Sequence, residues 1–369
     1  MACLVSACLP SPKPSSALLV KQEREATRRL VATSFPQLLD LVDNGTLLVL
    51  ERSPNYRERR DDGYQQPLLV FLIGTSHMSA RSAQHVRRVV TTVRPENVVV
   101  ELCRSRAGIM TEMPEHNANS KSNPNLLSMT GESFGAALSR SLKIGGQSAM
   151  SLRLLLALVS ESLSSIAGVR SGEEFRAAYK AAIEVGAQIV LGDRPIEITL
   201  RRSWEALDWP SKWRFTAFLL RGIGSSNLDL SEDSLQALRS DDALSAIFSY
   251  LSKEFPALLQ PLIHERDKYL AWSLTRSQAV NGSSQVVGVV GKGHVEGIVY
   301  ALKYESDKLR FRELAGVSES QDARESSRQF LIRLVVETIV GFLLWIAFNQ
   351  WHSDGDTHVF TSLFQSSRI

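Results

Sequence analysis

Cysteine is scarce, with three residues in 369. Cys3 and Cys8 lie near the N-terminus and Cys103 ends an apolar run, so no disulfide framework is suggested and a reducing compartment is the simpler reading. A surplus of one charge is also absent. The formal net charge is +3, with Lys and Arg interleaved among acids, which gives no indication of a nucleic-acid partner. Familiar catalytic signatures fail as well. His264 and Glu265 are not followed by the second histidine of a zinc-binding helix, and "GKGHVEG" has neither dinucleotide-loop glycine spacing nor a Walker lysine. The opening "MACLVSACLPSPKPSSALLV" has no basic region ahead of its apolar residues, and prolines interrupt it, so residues 1–30 are expected to form a disordered tail. A transit peptide is the lesser alternative, opposed by Glu23 and Glu25.

What is present is a string of apolar runs of strand length. With 44% hydrophobic and 22% charged residues the chain suits one globular α/β domain. A short amphipathic helix from about Ala26 leads to the strand "GTLLVLERS". "LLVFLIG" (68–74), "NVVVEL", "AQIVLGD" (187–193) and "QVVGVVG" (285–291) are apolar on both faces, as buried parallel strands are. Helical spacing fills "ARSAQHVRRVVTTV" and the stretches 133–166, 172–186, 196–220 and 232–277, while 117–131 reads as a loop. The expected fold is a mainly parallel sheet with helices on both faces and large helical insertions.

In such a sheet, ligands sit beyond the carboxyl ends of the strands. Four runs end in polar groups: Gly74 to His77; Glu101, Cys103 and Arg106; Gly192, Asp193 and Arg194; and Gly291 to His294. The spacing Gly-x-x-His occurs twice, and the glycines would permit the tight turn or close approach that aims His77 and His294 over the edge. Two imidazoles and a carboxylate, best supplied by Glu101, compose the protein shell of an open zinc, manganese or cobalt site. Arg106 or Arg194 would stabilise an oxyanion or hold a substrate carboxylate.

Structural readings compete with each assignment. Either histidine could be a cap or a hydrogen-bonded core residue. Glu101 with Arg106, and Asp193 with Arg194, could be bracing ion pairs, or Asp193 could cap the next helix. Cys103 reads as packing. "HERDKYLAWSL" reads first as a solvated helix face paired by charge, although apolar Tyr269, Leu270 and Trp272 leave open that it lines the site.

The segments "GTSHMSARSAQHV", "RPENVVVELCRSR", "LGDRPIEITLRR", "ERDKYLAWSL" and "VVGVVGKGHVEGI" resemble the TraB family, also called the TraB, PrgY, GumN and Tiki group, over about residues 66 to 305. The resemblance is to eukaryotic, plant-like members. It implies an erythromycin-esterase/ChaN-like α/β fold and the paired Gly-x-x-His motifs with a Glu and an Arg, matching His77, His294, Glu101 and Arg106. Tiki members are similar to metal-dependent proteases, and bacterial relatives act in peptide pheromone signalling.

Beyond a TraB domain over 31–315, residues 316–329 read as a polar linker, 330–351 as a membrane-spanning tail anchor and 352–369 as a short tail. "LVVETIVGFLLWIAF" is apolar all round except for Glu337, and with its flanks it reaches the about 20 residues a bilayer needs. Arg324, Arg328 and Arg333 before it, and Asp354 and Asp356 after it, place the domain in the cytosol. A final helix docked on the domain is the alternative. The functional expectation is a tail-anchored, metal-dependent, peptidase-like hydrolase at the outer mitochondrial membrane or, second, the ER. A peptide substrate or protein partner is expected, and a non-enzymatic adaptor or organelle tether is the alternative.

Overall fold

The computed structural model describes residues 16–52, 63–76, 80–110, 172–224, 253–305 and 309–316. Outside these lie His77, the expected 117–131 loop, the 133–166 helices, the linker and the whole 330–351 segment. Among the described residues no helix is long and apolar enough to cross a membrane.

All five expected strands form: β1 (Leu47–Glu51), β2 (Leu69–Thr75), β3 (Asn97–Val100), β4 (Gln188–Leu191) and β5 (Gln285–Gly291). They lie in the order β1-β2-β5-β3-β4. β1 is antiparallel to β2, and the other pairings are parallel. Strand order reverses between β4 and β5, because β5 returns to the middle of the sheet. The register sets Thr75 opposite Gly291 and Val100 opposite Val289, so the polar residues after β2, β5 and β3 leave the sheet at one edge.

Strand periodicity divides the core in two. Phe71, Ile73, Val98, Val100, Val287 and Val289 face α2 (Leu39–Asp43), α3 (Ala80–Val93) and α4 (Glu173–Val185). Val70, Leu72, Val99, Val286 and Val290 face α7 (Glu265–Thr275) and α8 (Lys292–Tyr304). The result is a three-layer mixed α/β fold. A Cβ on Gly288 would sit 2.7 Å from Leu274, so the bare backbone of β5 is what lets α7 lie this close to the sheet.

Three boundaries differ from expectation. The first helix, α1, spans Ser16–Ser34, so residues 16–30 belong to the fold rather than to a tail. Its Thr27 hydroxyl donates to Val49 O and accepts Val49 N–H, both at 2.9 Å, occupying backbone groups on the open side of edge strand β1. The expected helix over 196–220 is two, α5 (Ile196–Ala206) and α6 (Trp209–Gly224), with Asp208 accepting Ser211 N–H at 3.0 Å where the second begins. The described end of the 232–277 block is also broken, into short turns before α7, with Pro256 and Pro261 opening the irregular ones. The last described helix, α9, covers Phe311–Ala315.

Candidate active site

Glu101 follows β3, and its N–H still donates to Val289 O at 3.0 Å, which holds it in the sheet. Its side chain is buried. One carboxylate oxygen, Oε2, accepts the Gly291 N–H at 2.7 Å. The other, Oε1, lies 2.6 Å from Arg266 Nη2 and 3.2 Å from His294 Nε2. The carboxylate after β3 is thus joined directly to the amide and imidazole after β5.

Gly291 has φ −63° and ψ 144°, a conformation open to any residue, so at this glycine the visible contribution is the amide it gives Glu101. Gly74 serves close approach instead. A Cβ there would lie 3.2 Å from the Val295 side chain and 3.3 Å from that of Lys292, both on α8. That packing draws the first turn of α8, with His294, against the end of β2.

His294 is 8% exposed, and its two nitrogens face different carboxylates. Nδ1 is 2.6 Å from Asp267 Oδ1, and Nε2 faces Glu101. Burial alone would lower its pKa, but the Glu101 charge and the hydrogen bonds to Asp267 and Glu101 outweigh it, and the ring is pushed up to about 10. His294 is therefore an imidazolium at neutral pH, donating from both nitrogens. Burial pushes the Asp267 carboxyl up, opposed by that hydrogen bond.

Asp267 comes from α7, as does Arg266, the centre of the charge network. Its guanidinium binds Asp193 through Nε at 3.0 Å and Nη2 at 2.8 Å, and the same Nη2 reaches Glu101. Burial opposes its charge, yet Asp193 and Glu101 together raise its pKa. Glu265, on the preceding position, is paired with Arg194 and with Arg202 at 2.9 Å. Tyr269, one turn on, is pushed up to about 12 by burial and by the Asp193 charge. The "ERD" run of α7 is thus paired by charge as expected but not solvated: Asp267 is buried, Glu265 and Arg266 are half-buried, and Arg266 and Asp267 turn into the site. Arg266 and Asp267 were not among the expected site residues; the signal was the apolar turn behind them.

Arg194 does not pair with its neighbour through its side chain. Asp193 Oδ1 accepts the Arg194 backbone N–H at 2.8 Å, while the guanidinium turns to Glu265, to Thr199 Oγ1 at 3.0 Å and to Pro261 O at 2.7 Å. It is fully buried, and desolvation lowers its pKa despite the Glu265 hydrogen bond. Nor does Asp193 cap α5, whose N-cap position is Pro195. Arg106 sits on the turn Arg104–Met110 after β3, with Nε buried and making no hydrogen bond among the described residues. Cys103 is buried, its Sγ 3.1 Å from Ser105 Oγ, consistent with packing.

Among the described residues no three His, Cys, Asp or Glu side chains converge on a point fit for a metal. Two do meet. The 3.2 Å between His294 Nε2 and Glu101 Oε1 is close to the about 3.0–3.4 Å that separates neighbouring donors each about 2.1 Å from one ion. The Nδ1 side carries the carboxylate that ligating imidazoles usually have. Among the described residues the set of spaced donors stops at these two, and His77 lies outside them.

Residues 61–307 match the TraB/PrgY/gumN family, about the span carrying the motifs above. The chain belongs to that family. TraB domain-containing proteins of Bos taurus and Mus musculus are similar to it, at 32% identity over 288 residues (71% of this chain, 72% of the relative) and 31% over 299 (74% and 75%). An uncharacterized protein of Methanocaldococcus jannaschii is 28% identical over 283 residues, 76% of this chain and 65% of its own length. These relatives are animal and archaeal rather than plant.

Proposed function

We propose that this TraB domain is a metal-dependent, metallopeptidase-like hydrolase. The observation that carries the reading is the junction of Glu101 with His294, an acid after β3 and an imidazole after β5 meeting with Nδ1 already tied to Asp267. Glu101, His294 and His77 would hold a divalent manganese, cobalt or zinc ion, which when bound lowers the pKa of water and polarises a carbonyl. Arg266 holds Glu101 in place, and Gly291 N–H orients its second oxygen. Arg106, whose Nε has no described partner, is the cation assigned to developing negative charge on the substrate. Arg194, committed to Glu265, acts one layer further out by bracing α7. Peptides are the substrate class favoured by the family resemblance.

The apolar 330–351 segment supports a tail anchor holding the domain in the cytosol, with the outer mitochondrial membrane preferred to the ER. Two exposed tryptophans on α6, Trp209 (44%) and Trp213 (54%), favour a second role as an adaptor or tether that docks a partner.

For the enzyme, full-length protein loaded with manganese should cleave a peptide library, and His77→Ala should abolish cleavage. Equal cleavage by both proteins removes the hydrolase reading. For the anchor, full-length protein should stay in the membrane pellet after carbonate extraction, whereas a 1–328 truncation is released. Release of both refutes the span.

A further inference from the structure

We propose that Asp267 is a positioning residue that fixes which nitrogen of His294 faces Glu101, and that Gly297 supplies the gap in which Asp267 sits. The inference rests on the metal-site reading only for its effect on metal affinity.

His294 and Gly297 are three residues apart on α8 and so lie on the same face, one turn after the other. α7 packs against that face. Asp267 projects from it, is 3% exposed, and places Oδ1 2.6 Å from His294 Nδ1. The carboxylate has little alternative position, because the bare backbone at Gly297 receives it. A Cβ built on Gly297 would fall 2.9 Å from Asp267 Cβ and overlap the carboxylate group outright. Any side chain at 297 must drive Asp267 away from the ring. By contrast, a Cβ on Gly293, in the first turn of the same helix, meets nothing within 4 Å.

The neighbours of Asp267 prevent it from following a shifted ring. Glu265 is paired with Arg194 and Arg202, and Arg266 with Asp193 and Glu101. Lys268, on the other side, pairs with Glu305 at 3.0 Å, so α7 is held by ion pairs before and after the aspartate. With Nδ1–H committed to Asp267, Nε2 is the nitrogen left for Glu101 and for whatever Glu101 binds. The function-bearing sequence of the second motif extends past its histidine to Gly-x-x-His-x-x-Gly, residues 291 to 297.

The test uses full-length protein labelled with 15N-histidine, compared as wild type, Gly293→Ala, Gly297→Ala, Asp267→Asn, Asp267→Ala and Gly297→Ala/Asp267→Ala. The first readout is the His294 Nδ1–H proton resonance in metal-free protein, expected far downfield in wild type and Gly293→Ala. It should move upfield or vanish in the other variants. The second is manganese affinity by titration, expected to fall about 10- to 100-fold in Asp267→Asn and Gly297→Ala. The double variant should bind no more weakly than Asp267→Ala, since the clashing carboxylate has gone. It also keeps the test open should Gly297→Ala alone fail to fold. The proposal is overturned if Gly297→Ala matches Gly293→Ala in the resonance, or if the Gly297→Ala and Asp267→Ala losses in affinity add. Wild type that binds no manganese removes the metal reading instead, and the resonance still decides the role of Asp267.

Discussion

Arg266 shows why single residues matter in this site. One guanidinium neutralises two carboxylates that arrive from separate strands, Glu101 after β3 and Asp193 after β4. Removing it strips both buried acids of their guanidinium partner, leaving Asp193 with the Arg194 N–H and Glu101 with His294 and the Gly291 N–H. Arg266→Ala should therefore destabilise the protein by about 3–5 kcal/mol in urea denaturation, the range for breaking a buried pair. Arg266→Lys should recover only part, since an ammonium cannot reproduce the forked contacts. His294 gives the pH dependence. Its folded pKa, about 10, lies above the unfolded value, so the stabilisation is complete below about pH 6.5 and is lost as pH rises toward 10. Metal-free wild type should lose stability over that window, and Asp267→Asn should flatten the loss.

At the scale of elements, the strands were legible and several of their partners were not. Runs such as "LLVFLIG" and "QVVGVVG" are apolar on both faces because helices cover both sides of the sheet, and that pattern reads directly from sequence. The charged turn of α7 could not be read the same way. Glu265, Arg266 and Asp267 look like a solvated face, and their pairing inside the fold depends on acids and bases remote in the chain and on the gap at Gly297. The start of α1 was missed for a related reason: it is held by Leu19 in the core and by Glu23 paired with Lys303 of α8, contacts no local periodicity announces. Thr27→Val, nearly the same in shape, leaves Val49 N–H and C=O without that partner and should cost about 1–3 kcal/mol. Gly288→Ala presses a methyl onto Leu274 and should cost a similar about 1–3 kcal/mol by overpacking, read from the same denaturation curves.

For the whole molecule, the topology explains why residues so far apart in sequence meet. β5 is the last strand in the chain but enters the sheet between β2 and β3, so its following turn lies between the ends of both. The candidate site was legible to that extent: Glu101 and His294 were expected together, and they touch. The arrangement also couples metal to proton. Because the His294 ring holds a proton between two carboxylates, binding an ion there requires that proton to leave, and affinity should rise with pH. The most direct test is a manganese titration of full-length wild type, Glu101→Gln and His294→Ala with metal content measured after dialysis. The account predicts one tightly held ion in wild type and its loss in both variants. Equal metal content in all three would contradict it.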